Sequence, residues 1–174
     1  MSSKTIRVAL IGVGGVCAQV HYPGLSRIPG VEIVGICDPD ASLLENRSRE
    51  WRVEACFGDV DDLLREIQPD AVVIATPNCT HKSLILKAFA AGSHVLCEKP
   101  LGMNLQETKE ILAAAQETKL RHMTAFTYRF VPAMNYLRSL VQNGALGEIR
   151  HARFQRLQDW GERAIGWRQY YEQA

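Results

Sequence analysis

Arg7-Val8-Ala9-Leu10-Ile11-Gly12-Val13-Gly14-Gly15-Val16 is the stretch that decides the fold. A short run of buried-strand composition enters a glycine turn, and residues of helical period follow. Gly12 permits the tight turn, and Gly14 lets backbone approach a pyrophosphate. The helix that begins there offers unpaired N–H groups and a partial positive charge. In the G-x-G-x-x-G frame the third position is Cys17, followed by Ala18. A small side chain fits there, because the third glycine serves helix–strand packing. A structural turn, or another nucleotide-like cofactor such as S-adenosylmethionine, could use the same glycines, so what surrounds them matters.

Working outward, Glu32–Ile36, Ala71–Ala75 and His94–Cys97 repeat the apolar, β-branched composition, each followed by Gly, Pro, Asp or Asn punctuation. Helical periods fall at roughly 15–28, 41–50, 60–67, 79–91 and 104–118, with a weaker strand near Glu54–Phe57. Asn104 stands three residues before Glu107 in a capping pattern, and Gly92 reads as a helix stop. The alternation predicts an α/β protein: a Rossmann-type, doubly wound parallel sheet with helices on both faces. A strand over 121–125, a helix over 131–142, an Asn143-Gly144 turn and a partly alternating strand over 148–157 come next. The expected division is a nucleotide-binding unit over 1–124 and the beginning of a second, α+β domain over 125–174.

The second strand ends at Cys37-Asp38-Pro39-Asp40, where an acid receives adenosine ribose hydroxyls. Asp38 also suits a turn before proline. An acid there repels a 2′-phosphate and favours NAD over NADP; Arg47 and Arg49 lie too far along the next helix to reverse that. Ala75-Thr76-Pro77-Asn78 and Cys97-Glu98-Lys99-Pro100 end the next strands and should gather at the carboxyl edge of the sheet. A lysine held there can donate to a substrate oxygen, with Glu98 orienting it; the plainer alternative is a surface Lys-Pro turn. His21 and Tyr22 could approach a cofactor or pack a helix face, and His94 reads as structural.

Composition removes other classes of function. The 174 residues carry 20 basic and 19 acidic side chains, without the basic excess that suits nucleic acid or an anionic membrane. No apolar run reaches the ~20 residues that span a bilayer, and a cytoplasmic protein is expected. The five cysteines are scattered and never form a C-x-x-C pair, so no metal site and no disulfide framework is expected.

Taken in order, Gly12–Gly15, Cys37–Asp40, Ala75–His81, Ala91–Pro100 and Tyr128–Ala133 resemble the Gfo/Idh/MocA oxidoreductases, the glucose–fructose oxidoreductase and inositol dehydrogenase group. The resemblance runs from about Val8 to Leu157. It implies a dinucleotide-binding domain followed by a domain built on a mostly antiparallel sheet, with a sugar, polyol or cyclitol substrate between them. Matching positions imply that Gly12, Gly14, Gly15 and Val16 contact the pyrophosphate and Asp38 the ribose. They also imply that Thr76, Pro77, Asn78 and His81 line the nicotinamide half. Glu98 and Lys99 would face the nicotinamide ribose and the substrate, with Lys99 catalytic and a cis bond before Pro100. Tyr128 and Arg129 would reach the substrate edge.

The resemblance also implies an Asp and a His, a few residues apart, beyond the first strand of the second sheet. Neither Asp159 nor His151 matches that pair, and family members are roughly twice this length, as two domains require. The expectation is therefore a cofactor-binding portion of an oxidoreductase, inactive alone; the competing expectation is a catalytically silent NAD-binding or assembly module. Trp160, Trp167, Tyr170 and Tyr171 could stack on sugar or pack against a second domain. A sheet begun and not completed leaves an edge, so self-association through the 148–157 strand is expected.

Overall fold

The structure, a computed structural model, describes residues 5–157. Its centre is a six-stranded sheet in the order β3-β2-β1-β4-β5-β6. The strands are β1 Ile6–Ile11, β2 Val31–Cys37, β3 Cys56–Phe57, β4 Ala71–Ile74, β5 His94–Cys97 and β6 His122–Thr124. Every neighbouring pair is parallel, which is the doubly wound arrangement expected. The helices are α1 Tyr22–Leu25, α2 Ala41–Trp51, α3 Val60–Ile67, α4 His81–Ala90, α5 Leu105–Glu117 and α6 Pro132–Gln142.

Alternation along β1 explains the layers. Val8 and Leu10 face Cys17, Leu44 and Trp51 on one side, while Ala9 and Ile11 face Leu63, Ile85, Phe89 and Ile111 on the other. Such fully buried aliphatic side chains contribute roughly 1.5–3 kcal/mol each. The helix ends follow local chemistry: Asp40, Asp59 and Asn104 cap α2, α3 and α5 by accepting backbone N–H groups. Gly92 stops the chain after α4 with φ +79°.

The first helical segment departs from a uniform helix. Cys17–His21 forms a π-helical turn that leads into α1, closed by the Tyr22 N–H donating to the Cys17 carbonyl. Pro23 is the local cause: it has no N–H, and its ring would crowd the Gln19 carbonyl in a regular α-helix, a conflict that the wider turn relieves.

The expected strand over 148–157 is not formed. Those residues are exposed and without regular structure, with Phe154 and Leu157 77% and 91% exposed. Partial alternation specifies a strand only where a neighbouring strand accepts its hydrogen bonds, and none lies beside it among the described residues. The strand edge invoked for self-association is thus absent. Asn143 instead caps α6, and Gly144 turns the chain at φ +70°.

Candidate functional site

At the carboxyl ends of β1, β2, β4 and β5 lies one continuous cleft of about 830 Å³. Gly12, Gly14, Gly15 and Val16 form its floor at the entry to the first helix, Asp38 one end, and Thr76, Pro77, Asn78, Glu98 and Lys99 the other. The Gly12 N–H donates to the Cys37 carbonyl (2.8 Å), and the Ala75 N–H to the Ile11 carbonyl (2.8 Å), so the strand ends lock the turn in place. Gly12 has φ +83°, and a Cβ there would lie 2.7 Å from the Ala75 carbonyl oxygen. A Cβ on Gly14 would meet nothing within 4 Å, which leaves open space beside the first helical turn, whose N–H groups have no partner within the helix.

Asp38 closes the adenosine end. Its Oδ2 accepts the Val13 N–H and its Oδ1 the Asp40 N–H, each at 3.0 Å. A carboxylate accepts about four such bonds, so capacity remains for hydroxyl donors. Arg47 is committed elsewhere: its Nε donates to the Val13 carbonyl (3.2 Å), it pairs with Glu50, and it lies 5.4 Å over the Trp51 ring. Arg49 pairs with Glu45.

At the other end the Thr80 hydroxyl donates to the Pro77 carbonyl (2.7 Å), which leaves it to accept from the Thr76 hydroxyl at 2.6 Å. Lys99 is exposed on the cleft wall, and its backbone N–H donates to Glu98 Oε2 (3.2 Å). Glu98 Oε1 accepts from His21 Nε2 at 2.9 Å, with the two side chains 13% and 6% exposed. Partial burial pushes the Glu98 carboxyl up, but the His21 hydrogen bond, the Lys99 backbone N–H and the electrostatic pull of these two residues together outweigh it. The carboxyl is held below its ordinary range. Burial is the main cause that pushes the Cys17, Cys37 and Cys97 thiols up to about 12, aided by nearby carboxylates (Asp38 for Cys17 and Cys37, Glu98 for Cys97) and opposed at Cys17 by Arg47, so they remain unreactive packing groups.

Two placements differ from expectation. His81 does not line the cleft: the ring is fully buried behind it, Nδ1 2.7 Å from the Pro100 carbonyl oxygen and Nε2 3.0 Å from that of Thr76. Tyr128 and Arg129 sit on an exposed turn, Thr127–Phe130, beyond the end of β6 and outside the cleft wall; Tyr128 lies 4.6 Å under the Arg156 guanidinium. Of the two alternatives for Tyr22, packing is the one formed: it stacks on Trp51 (4.2 Å between centroids) and is not part of the cleft wall. The Lys99-Pro100 bond is cis, as the resemblance implied. His94 is structural, its Nδ1 accepting the Arg121 N–H at 3.0 Å. Asp159, Trp160, Trp167, Tyr170 and Tyr171 lie outside the described residues. Among the described residues no group of side chains suits a metal ion, and no helix is long and apolar enough to cross a membrane.

A parallel sheet of this strand order, with a glycine turn after β1, an acid after β2 and open backbone at a helix start, defines a dinucleotide-binding protein. Residues 6–126 match the family described as "Oxidoreductase family, NAD-binding Rossmann fold", and the chain belongs to this Gfo/Idh/MocA family. D-glucoside 3-dehydrogenase of Escherichia coli is 33% identical over 149 residues, covering 86% of this chain and 42% of that protein. Scyllo-inositol dehydrogenase from Lactobacillus casei, solved with NAD(H) and scyllo-inositol, superposes with a TM-score of 0.78 at 28% identity, covering 83% of this chain and 43% of that one. A 3-ketoreductase from Actinomadura kijaniata, solved with TDP-benzene and NADP, superposes with a TM-score of 0.76 at 28% identity and covers 84% and 46%. The chain thus spans about two fifths of its curated relative's length.

Proposed function

We propose that this chain is the cofactor-binding portion of an NAD-dependent dehydrogenase acting on a sugar, polyol or cyclitol, with residues from 125 onward opening the substrate domain. The supporting observation is that the glycine turn, Asp38 and the Glu98-Lys99 pair border one cleft. The open backbone at Gly14 and the first helical turn suit the pyrophosphate, and the spare acceptor capacity of Asp38 suits ribose hydroxyls. Arg47 and Arg49 are already engaged by Val13, Glu50 and Glu45, which supports NAD over NADP. Bound nicotinamide supplies hydride chemistry; the chain's own residues position and polarise. Lys99 holds or accepts a proton at the substrate oxygen, while Glu98 keeps the local charge balanced.

Calorimetric titration of the chain with NADH and NADPH tests this. NADH should bind in the micromolar range, about −8 kcal/mol, and more tightly than NADPH. Asp38→Ala should weaken binding by roughly 1.5–3 kcal/mol, whereas Lys99→Ala should retain it. Asp38→Asn keeps an acceptor for the Val13 N–H and separates loss of the ribose contact from loosening of the turn. Absence of binding by either cofactor would remove the proposal.

A further inference from the structure

The bond between His21 and Glu98 joins parts of the cleft that the sheet alone would not connect. His21 ends the π-helical turn that begins at Cys17, on the same helical segment that starts at the glycine turn. Glu98 leaves the carboxyl end of β5, where its N–H donates to the Ile74 carbonyl (2.9 Å). One carboxylate therefore accepts from His21 through Oε1 and from the Lys99 backbone through Oε2. Because a carboxylate only accepts, His21 must carry the proton on Nε2. A histidine that merely filled space would not need its polar edge against the residue that orients the cleft lysine, and π-helical turns recur at functional sites.

We propose that His21 is a positioning residue that tethers Glu98, and through it the backbone of Lys99, to the helix of the glycine turn. The floor of the cleft suited to pyrophosphate and the end that holds the lysine are thereby fixed to one rigid segment. This meaning rests on the cofactor reading above; the tether itself does not. The titratable groups that face Glu98 are His21, from the first helical segment, and Lys99, from its own strand end. Loss of His21 removes a donor that favours the ionised carboxyl and leaves burial to act against it.

The test uses the full chain and the variants His21→Gln, His21→Leu and Glu98→Gln. The carbon-13 signal of the Glu98 carboxyl, assigned by its loss in Glu98→Gln, and the amide signal of Lys99 are followed by NMR against pH. In the wild type the carboxyl should titrate below the ordinary glutamate range, with the Lys99 amide following it. His21→Leu should move that midpoint up and displace the amide signal, and His21→Gln, which keeps an N–H donor, should restore both toward wild type. A space-filling role would rank Leu above Gln, and an unchanged midpoint and amide in His21→Leu overturn the proposal. If His21→Leu does not melt cooperatively, His21→Ser, too short to reach Glu98, takes its place with the same expected result. Titration of NADH into the same samples keeps the two ideas apart. A wild type that binds no NADH, yet whose Glu98 responds to His21 as stated, defeats the cofactor reading alone.

Discussion

Gly12 carries the tightest steric demand in the molecule's site. Its positive φ disfavours any Cβ by roughly 1–2 kcal/mol, and the Ala75 carbonyl and the Thr76 methyl, at 2.7 and 2.8 Å from that Cβ position, leave it no room. Gly12→Ala should therefore lower the melting temperature and abolish NADH binding together, measured by circular dichroism and calorimetry on one preparation. A soluble, wild-type-like melt with intact binding would show that the turn tolerates what its geometry forbids. At this scale the site was legible where chemistry is local: the glycines, Asp38, Thr76, Pro77, Asn78, Glu98 and Lys99 all reach one cleft. His21 and His81 were not, because each bonds an atom 77 or 19 residues away along the chain. Nothing in the neighbouring residues announces which face of a helix will meet such a partner, although Pro23 so soon after the glycine turn does mark a break in helical register.

At the scale of the element, α5 shows why its boundary could be read directly. Asn104 Oδ1 accepts the Glu107 N–H at 2.9 Å, and the Glu107 carboxylate returns to accept the Met103 N–H at 2.9 Å, one residue earlier than the reciprocal capping box predicts. Asn104→Ala should cost about 1 kcal/mol of stability in denaturant unfolding, with Asn104→Asp close to neutral. A loss no larger than that of an exposed alanine substitution mid-helix would mean that the first turn is held by packing instead. Central strands were equally readable, because β1, β2 and β4 are buried on both faces and need continuous apolar runs. The strand expected over 148–157 shows the opposite situation. Its residues alternate, but pairing is a property of two segments, and only one of them is in the pattern.

The whole molecule closes at the end of β6. The Ala125 N–H donates to the Cys97 carbonyl (2.8 Å), the last bond to β5 among the described residues, and Ala125 is buried. Beyond it, no residue of α6 is buried, and Phe130, Tyr136 and Leu146 lie 64%, 66% and 48% exposed. Among the described residues, stability resides almost wholly before residue 127, since exposed apolar side chains add little to a fold that does not bury them. The family match ends at the same place, residue 126. The chain shortened to residues 1–126 should then melt within about 2 °C of the full chain, since no residue of α6 is buried, and should keep its NADH affinity. Limited proteolysis of the full chain should cut first after Phe126 and leave that unit intact. A shortened chain that melts much lower, or a protease that attacks β5 and β6 before the 127–157 segment, would mean that α6 covers the sheet edge in solution. Cofactor binding would then depend on residues that lie outside the cleft.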